Sequence, residues 1–304
     1  MPKTLRVFHR TEYRYDRDVS FGPHRLLLRP RGGHDLRVLD SSILVIPHAA
    51  LNWHFDTFAN SVAHANFQQD ASKLVIESKL LIRRYASVPI SPLDPMSNTA
   101  DTSTDEPEDA MVLAPFMQLQ NPEDIEDLRT WLSAHNRNHL TNGLELLRSL
   151  SDDIHHSFRY SRRDTLGTHS VTTTIRLRRG TCRDFAFFFM EAARVLGFAA
   201  RFVTGYLYDP VDDDESEGNG SSESLSGGGS THAWADAFIP GLGWVEFDPT
   251  NRVVAGIGLI RVATTRTPAQ ASPIQGTYIG GDAVFLGMDV AVKVTSAEPG
   301  ATHI

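Results

Sequence analysis

Polar and apolar residues alternate in short runs over the first part of the chain. Between Leu5 and Tyr85, Phe8, Arg10, Glu12 and Arg14 fall on one face of such a run, and His9, Thr11, Tyr13 and Tyr15 on the other. Period-two alternation broken by Gly, Pro, Asn and Asp predicts strands joined by turns, so residues 1–86 are expected to form a β-rich domain, a sandwich or meander. Further strands are predicted at Arg25 to Leu28, Leu36 to Ile46, Ala63 to Phe67 and Leu74 to Arg83, the last rich in β-branched residues.

Residues 87–110 are dense in Pro, Ser, Thr and Asp with few large apolar side chains, which predicts an interdomain linker. The period then changes. Glu123 to His135 follows an Asn121-Pro122 start signal, and Gly143 to Phe158 carries Leu144, Leu147, Leu150 and Ile154 on one stripe, so both are predicted helices. A third, Cys182 to Leu196, places Phe185, Phe188, Phe189, Ala192, Val195 and Leu196 at helical spacing and stops at Gly197, the pattern of a buried helix. Strands are predicted next at Ala200 to Tyr208, His232 to Ile239 and Trp244 to Asp248, the last two joined by Pro240-Gly241-Leu242-Gly243. Helices followed by an antiparallel sheet make residues 111–265 an α+β domain. The acidic Ser/Gly-rich stretch Asp212 to Ser230 is expected to be a loop. Late strands are expected at Leu259 to Ala263 and Val284 to Val294, and residues 266–304 form a C-terminal β segment that packs on either domain.

Composition narrows the function classes. The 304 residues carry 29 Lys+Arg against 37 Asp+Glu, a net charge of −8, and 41% are hydrophobic. That balance repels polyanions, so no nucleic-acid partner is expected. No apolar run has signal-peptide or membrane-spanning length, so a cytoplasmic location and no membrane partner are expected. The single cysteine, Cys182, excludes an intramolecular disulfide and a multi-cysteine zinc site.

Thr181 followed three positions later by Asp184 fits a capping box and puts Cys182 at the first helical position. There the backbone N–H has no intrahelical partner and the helix dipole favours a thiolate. A lone cysteine is ordinarily a small buried hydrophobe. Here, however, it begins the core-facing stripe and points at a sheet whose strand His232 to Phe238 begins with a histidine and whose return strand ends with Asp248. Cys182, His232 and Asp248 are the three parts of an activated thiol nucleophile. If Ile239 pairs with Trp244, however, His232 lies opposite Asn251 and Asp248 falls three rungs away on the other face. The triad then requires a bulge or asymmetric turn, which Gly241 and Gly243 make cheap, and a G1 bulge is predicted there.

The stretches Gly180 to Phe185 (GTCRDF), Ala199 to Tyr206 (AARFVTGY) and Thr231 to Thr250 (THAWADAFIPGLGWVEFDPT) resemble the bacterial transglutaminase-like family. Arg10 to Tyr15, Leu26 to Pro30 and Asp56 to Asn60 are similar to the β-rich domain that precedes the core in these proteins. The resemblance implies a papain-like α+β core with Cys182 as nucleophile, His232 as general base and acid, and Asp248 orienting the imidazole. It departs from the family at Phe187, where members commonly have His, and in the insertion before Thr231. Members are often encoded beside ATP-grasp-type and helical proteins, which makes such proteins expected partners.

The expected chemistry is acyl transfer: Cys182 attacks an amide carbonyl of a protein or peptide, His232 protonates the departing nitrogen, and an amine or water resolves the thioester. An amine makes the protein a transglutaminase, water a peptidase or amidase. A non-catalytic binding module on the same fold is the rival from another class. Tyr206, Trp234 and Trp244 are groove candidates, but strand aromatics on a buried sheet are more often core. No metal or other cofactor is expected: His135 and His139 lack the glutamate of a zinc-protease motif, and His155-His156 offers no ligand set. A β-rich domain with exposed edges leaves a homo-oligomer open.

Overall fold

The computed structural model describes residues 2–85, 107–135, 140, 142–163, 165, 167–210, 231–298, 301 and 303. Most of the predicted linker and the stretch from Asp212 to Ser230 lie outside them. The chain opens with six strands: β1 (Lys3–Phe21), β2 (His24–Leu26), β3 (Leu36–Ile46), β4 (Ala49–Phe55), β5 (Ser61–Phe67) and β6 (Ala71–Arg84). Then come α1 (Pro107–Met117), α2 (Ile125–Ala134), α3 (Gly143–Ser157), β7 (Arg159–Tyr160), α4 (Val171–Leu177), β8 (Arg179–Gly180) and α5 (Cys182–Val195). Strands β9 (Ala200–Leu207), β10 (His232–Ile239), β11 (Gly243–Asp248), β12 (Val253–Val254) and β13 (Leu259–Thr265) follow, and β14 (Ile274–Gln275), β15 (Tyr278–Ile279) and β16 (Phe285–Ser296) end the list. The α1 helix takes up the last residues assigned to the linker, and β4 and α4 are elements the sequence pattern did not predict.

The first six strands and the last three build one sandwich. One sheet runs β15-β1-β6-β3 with β16 also on β1, and the other runs β14-β2-β5-β4. Phe21, Leu26, Val45, Ala63, Ala65, Leu74 and Ile76 fill the space between them. β16 pairs antiparallel with β1 from Leu5↔Ser296 to Tyr15↔Phe285, so the C-terminal segment supplies the outer neighbour of the first strand.

The second sheet runs β12-β11-β10-β9-β13. On one face Ala233, Ala235, Ala237, Val245 and Phe247 meet Phe185, Phe188 and Phe189 of α5 in a shared core, and Phe189 stacks on Phe247 at 5.0 Å. A row of alanines on the strand leaves room for a row of phenylalanines on the helix, which fixes how closely and where α5 lies. The C-terminal end of α5 leads into Ala200, which pairs with Ala237, whereas His232 pairs with Gly205 at the far end of the strand. The N-terminus of α5 therefore lies at the His232 end.

The two units meet through Leu5, Val7, Leu80 and Ile82 against Tyr206, Tyr208, Ile260 and Val262. Asn60 spans the joint, donating to Thr264 O at 2.8 Å and accepting from Thr264 N at 2.9 Å. Arg84, 2% exposed, donates to Asp35 at 2.6 Å and to the carbonyl of Gly256, while Arg261 reaches both Asp35 and Glu246. Burial, reinforced by the Asp236 carboxylate, pushes Glu246 up to about 7 against the pull of Arg261 and Arg84. Among the described residues no helix is long and apolar enough to cross a membrane.

Replacing Arg84 by Met leaves the Asp35 carboxylate short of its closest partner inside the joint. Removal of one member of a buried charge pair typically costs about 3 kcal/mol or more, so Arg84→Met is expected to lower the urea midpoint accordingly. A loss below about 1 kcal/mol would show that the joint does not depend on this ion pair.

Candidate active site

The N-terminus of α5 is built by its capping residues. Thr181 is the N-cap, its hydroxyl accepting from Asp184 N while the Asp184 carboxylate accepts from Thr181 N, the capping box expected from the sequence. The first helical hydrogen bond runs from Phe185 N to Thr181 O at 3.1 Å, so the Cys182 N–H precedes it and has no partner within the helix. Gly180 is required just ahead: a Cβ there would stand 2.9 Å from Asp184 Cβ and 3.0 Å from the Phe185 ring.

Asp184 does more than cap. Fully buried, it takes both Arg163 guanidinium nitrogens at 2.9 and 3.1 Å and the His169 N–H at 2.6 Å. The loop between β7 and α4 is thereby tied to the first turn of α5. The sequence signalled the cap; nothing in it signalled that the same carboxylate would hold residues 163 and 169.

The β10–β11 hairpin brings His232 and Asp248 together. Leu242 N donates to Ile239 O at 3.0 Å, and Gly241 and Gly243 both have positive φ, 80° and 76°. Ile239 pairs with Gly243 rather than Trp244, and the register then runs unbroken to Ala235↔Phe247. The predicted G1 bulge in the ladder is thus corrected: the asymmetry is taken up in the turn, moving the register by one residue. Continued at that register, Asp248 falls opposite Trp234, on the same face as His232 and two rungs along. Gly205, opposite His232, adds no side chain there; a Cβ on it would lie 2.1 Å from Ile260 O and 2.8 Å from the Trp234 ring.

His232 Nε2 lies 2.8 Å from Asp248 Oδ2, with neither side chain exposed. Asp248 is held in turn by Thr250 N at 2.9 Å and Asn251 Nδ2 at 2.8 Å. A carboxylate on Nε2 fixes the proton there, and Nδ1, buried and without a hydrogen-bond partner among the described residues, is left for the sulfur. Burial alone pushes the imidazole down; the Asp248 carboxylate and then Cys182, when charged, outweigh it and carry His232 up to about 10. Cys182, 7% exposed, and His232 are therefore close enough to act on each other's charge. The structure places all three predicted site residues in one buried cluster; Asn251 and Thr250 were not anticipated, although their place directly after Asp248-Pro249 puts them in the turn that closes on it.

Of the groove candidates, Tyr206 belongs to the joint between the two units, whereas Trp234 borders the site, its ring centre 6.1 Å from that of His232, and is held in a small core cluster with Val203, Leu207 and Leu259. Trp244 is half-buried beneath the Arg201 guanidinium, 4.1 Å from its ring centre. Phe187, 2% exposed, is part of the helix core. His135 bonds Trp131 O, His155 bonds Thr250 O and His156 bonds Asp152 O through ring nitrogens, and His139 lies outside the described residues.

A thiol on a helix N-terminus against an imidazole and a carboxylate on an antiparallel sheet, behind a β sandwich, defines a transglutaminase-like core. Residues 5–83 match the bacterial transglutaminase-like N-terminal region and residues 133–249 the transglutaminase-like superfamily core. The chain belongs to the bacterial transglutaminase-like family. It is 28% identical to an uncharacterized protein of Mycobacterium tuberculosis over 98% of this chain and 94% of that one, and 24% identical to an uncharacterized protein of Mycobacterium leprae over 96% and 98%. The crystal structure of a candidate cysteine protease from Cytophaga hutchinsonii superposes with a TM-score of 0.69 at 18% identity, covering 99% of this chain and 93% of that one, a likeness of fold.

The His232 pairing has a signed consequence. Its folded value of about 10 lies above the 6.5 of an unfolded histidine, so its stabilisation is complete below pH 6.5 and is lost as pH rises toward 10. The melting temperature is expected to fall across that window, and Asp248→Asn to flatten the fall. A wild-type melting temperature level from pH 6.5 to 10 would contradict the buried pair.

Proposed function

We propose that this protein is a thiol acyl-transfer enzyme acting on amide bonds, glutamine side chains or peptides, through a thioester on Cys182. The observation that carries this reading is the buried His232 imidazole, fastened to Asp248 by Nε2 at 2.8 Å with its Nδ1 unpartnered among the described residues and so left to the cysteine. In that arrangement His232 is the general base and acid, and Asp248 holds its tautomer. Sulfur adds to the carbonyl carbon, the imidazolium protonates the departing nitrogen, and the amine or ammonia leaves with the electrons of the C–N bond. An amine acceptor then regenerates the thiol as a transglutaminase, and water does so as a peptidase or amidase; both share the first half-reaction. The expected partner is a protein or peptide substrate.

The test begins with alkylation of the only cysteine. Iodoacetamide at pH 6 is expected to label wild-type Cys182 at least about tenfold faster than His232→Ala, because the imidazolium stabilises the reacting thiolate. Mass spectrometry of a glutamine-containing peptide incubated with a primary amine then separates amine incorporation from deamidation or cleavage. Equal alkylation in the two proteins and an unchanged peptide would leave the fold as a binding module.

A further inference from the structure

Sheet edges are where one chain can extend another, because an outer strand leaves alternate backbone N–H and C=O groups without ladder partners. In the first sheet of the sandwich β16 pairs with β1, and among the described residues no strand lies on its other side. Its register with β1 runs without a shift from Leu5↔Ser296 to Arg14↔Gly287, and it holds no proline. The opposite edge, β3, is interrupted by a shift between Val38 and Asp40, a feature that turns an edge away from partners. β16 is thus a long, regular and open edge. Apolar side chains left in solvent border it: Ile279, Phe285, Leu286 and Met288 are all at least 42% exposed.

The direction of each residue on this edge follows from two observations. Ala297 N donates to Thr4 O at 2.9 Å, and strand backbone groups alternate in direction. From Gly287 to Ala297 the odd-numbered residues therefore turn their N–H and C=O toward β1, and Met288, Val290, Val292 and Val294 turn theirs to the open edge. The Val292 and Val294 side chains pack into the joint between the two units, so Asp289, Ala291 and Lys293 share the outer face, where all three are exposed. Asp289 stands opposite Glu12, a like charge, with Arg14 paired to both.

An antiparallel second copy of β16 laid along this edge, with the twofold axis at Ala291, fits these directions. Val290 meets Val292 of the second copy and Met288 meets its Val294. These are the residues whose backbone groups face outward, so each pair exchanges both hydrogen bonds. Asp289 and Lys293 lie two residues either side of Ala291, so Asp289 of each copy falls opposite Lys293 of the other. Those are non-hydrogen-bonded positions, where side chains stand closest and opposite charges attract. The ammonium also offsets the repulsion between Asp289 and Glu12. Moving the axis to Val290 or Val292 puts Asp289 opposite Ala291 or Thr295, and moving it to Asp289 or Lys293 sets like charges face to face. From this charge complementarity on an open edge we infer that the protein is a homodimer in which two β16 strands pair antiparallel about Ala291, joining the sheets of two copies into one.

The full chain is measured by sedimentation equilibrium and native mass spectrometry, with a dimer of the 33.7 kDa chain expected for wild type. Asp289→Lys and Lys293→Asp each set like charges opposite one another on both sides of the axis, and each is expected to weaken the dimer at least about tenfold. Combining the two substitutions restores it, and an equal mixture of the two single variants gives the heterodimer, because each carries the charges the other lacks. Register is tested with Ala291→Cys in a Cys182→Ala background. The paired Cα atoms would lie about 4.5 Å apart, within the span of a disulfide, so mild oxidation is expected to link these copies and not those of Thr295→Cys in the same background. A wild-type monomer at about 100 μM, or a dimer that both single variants keep, overturns the inference. So does a loss that neither the double variant nor the mixture repairs, or cross-linking through Thr295→Cys as fast as through Ala291→Cys.

Discussion

The pairing of Ile239 with Gly243 decides which face of the core sheet every residue of β10 and β11 occupies. Strand side chains alternate, so one residue of slip exchanges the two faces completely. At the register observed, the alanines and Phe247 go to the helix side and build the core, and His232, Trp234, Asp236, Glu246 and Asp248 go together to the other. With the alanines of β10 held against α5, the slip that would separate Asp248 from His232 would also turn Glu246 into the phenylalanines of α5. Core packing and site assembly are thus enforced by one three-residue turn, and neither can be lost without the other.

The polar face so created carries two kinds of buried charge with different partners. At its outer end His232 and Asp248 neutralise each other within the core domain. Further along, Asp236 meets Arg201, and Glu246 meets Arg261 and, more distantly, Arg84. Arg84 ends the last strand of the first unit before the chain crosses to the second. Buried carboxylates without cations are costly, so the N-terminal sandwich is also a supplier of counter-charge to the sheet that holds the site.

Much of this was legible in the sequence because the signals are local. The period of Leu36–Ile46 and His232–Ile239 gives those strands their observed limits, and Thr181 with Asp184 marks the start of α5 to the residue. The misses have physical causes. β4 turns Trp53 and Phe55 outward, 47% and 67% exposed, so its apolar residues do not mark a buried face. In α4 the run Val171-Thr-Thr-Thr-Ile has the composition of a strand, but Ser170 caps it, accepting from Thr173 N, and burial of Val171 and Thr174 overrides intrinsic preference. The Arg163 and His169 bonds to Asp184 come from tertiary contact alone, which no period records.

The closing of β16 on β1 also gives the chain a calendar. Synthesis runs from the N-terminus, so β1 emerges early and can pair at once with β6, its partner from Lys3↔Arg84 to Arg14↔Lys73. Its other edge must wait for Phe285–Ser296, and the sandwich core must wait for Ile274 on β2. The thiol, imidazole and carboxylate are all made before these strands appear. A nascent chain therefore completes its chemistry-bearing sheet while the domain ahead of it still presents an open strand edge, the state most exposed to pairing with another chain on a crowded ribosome.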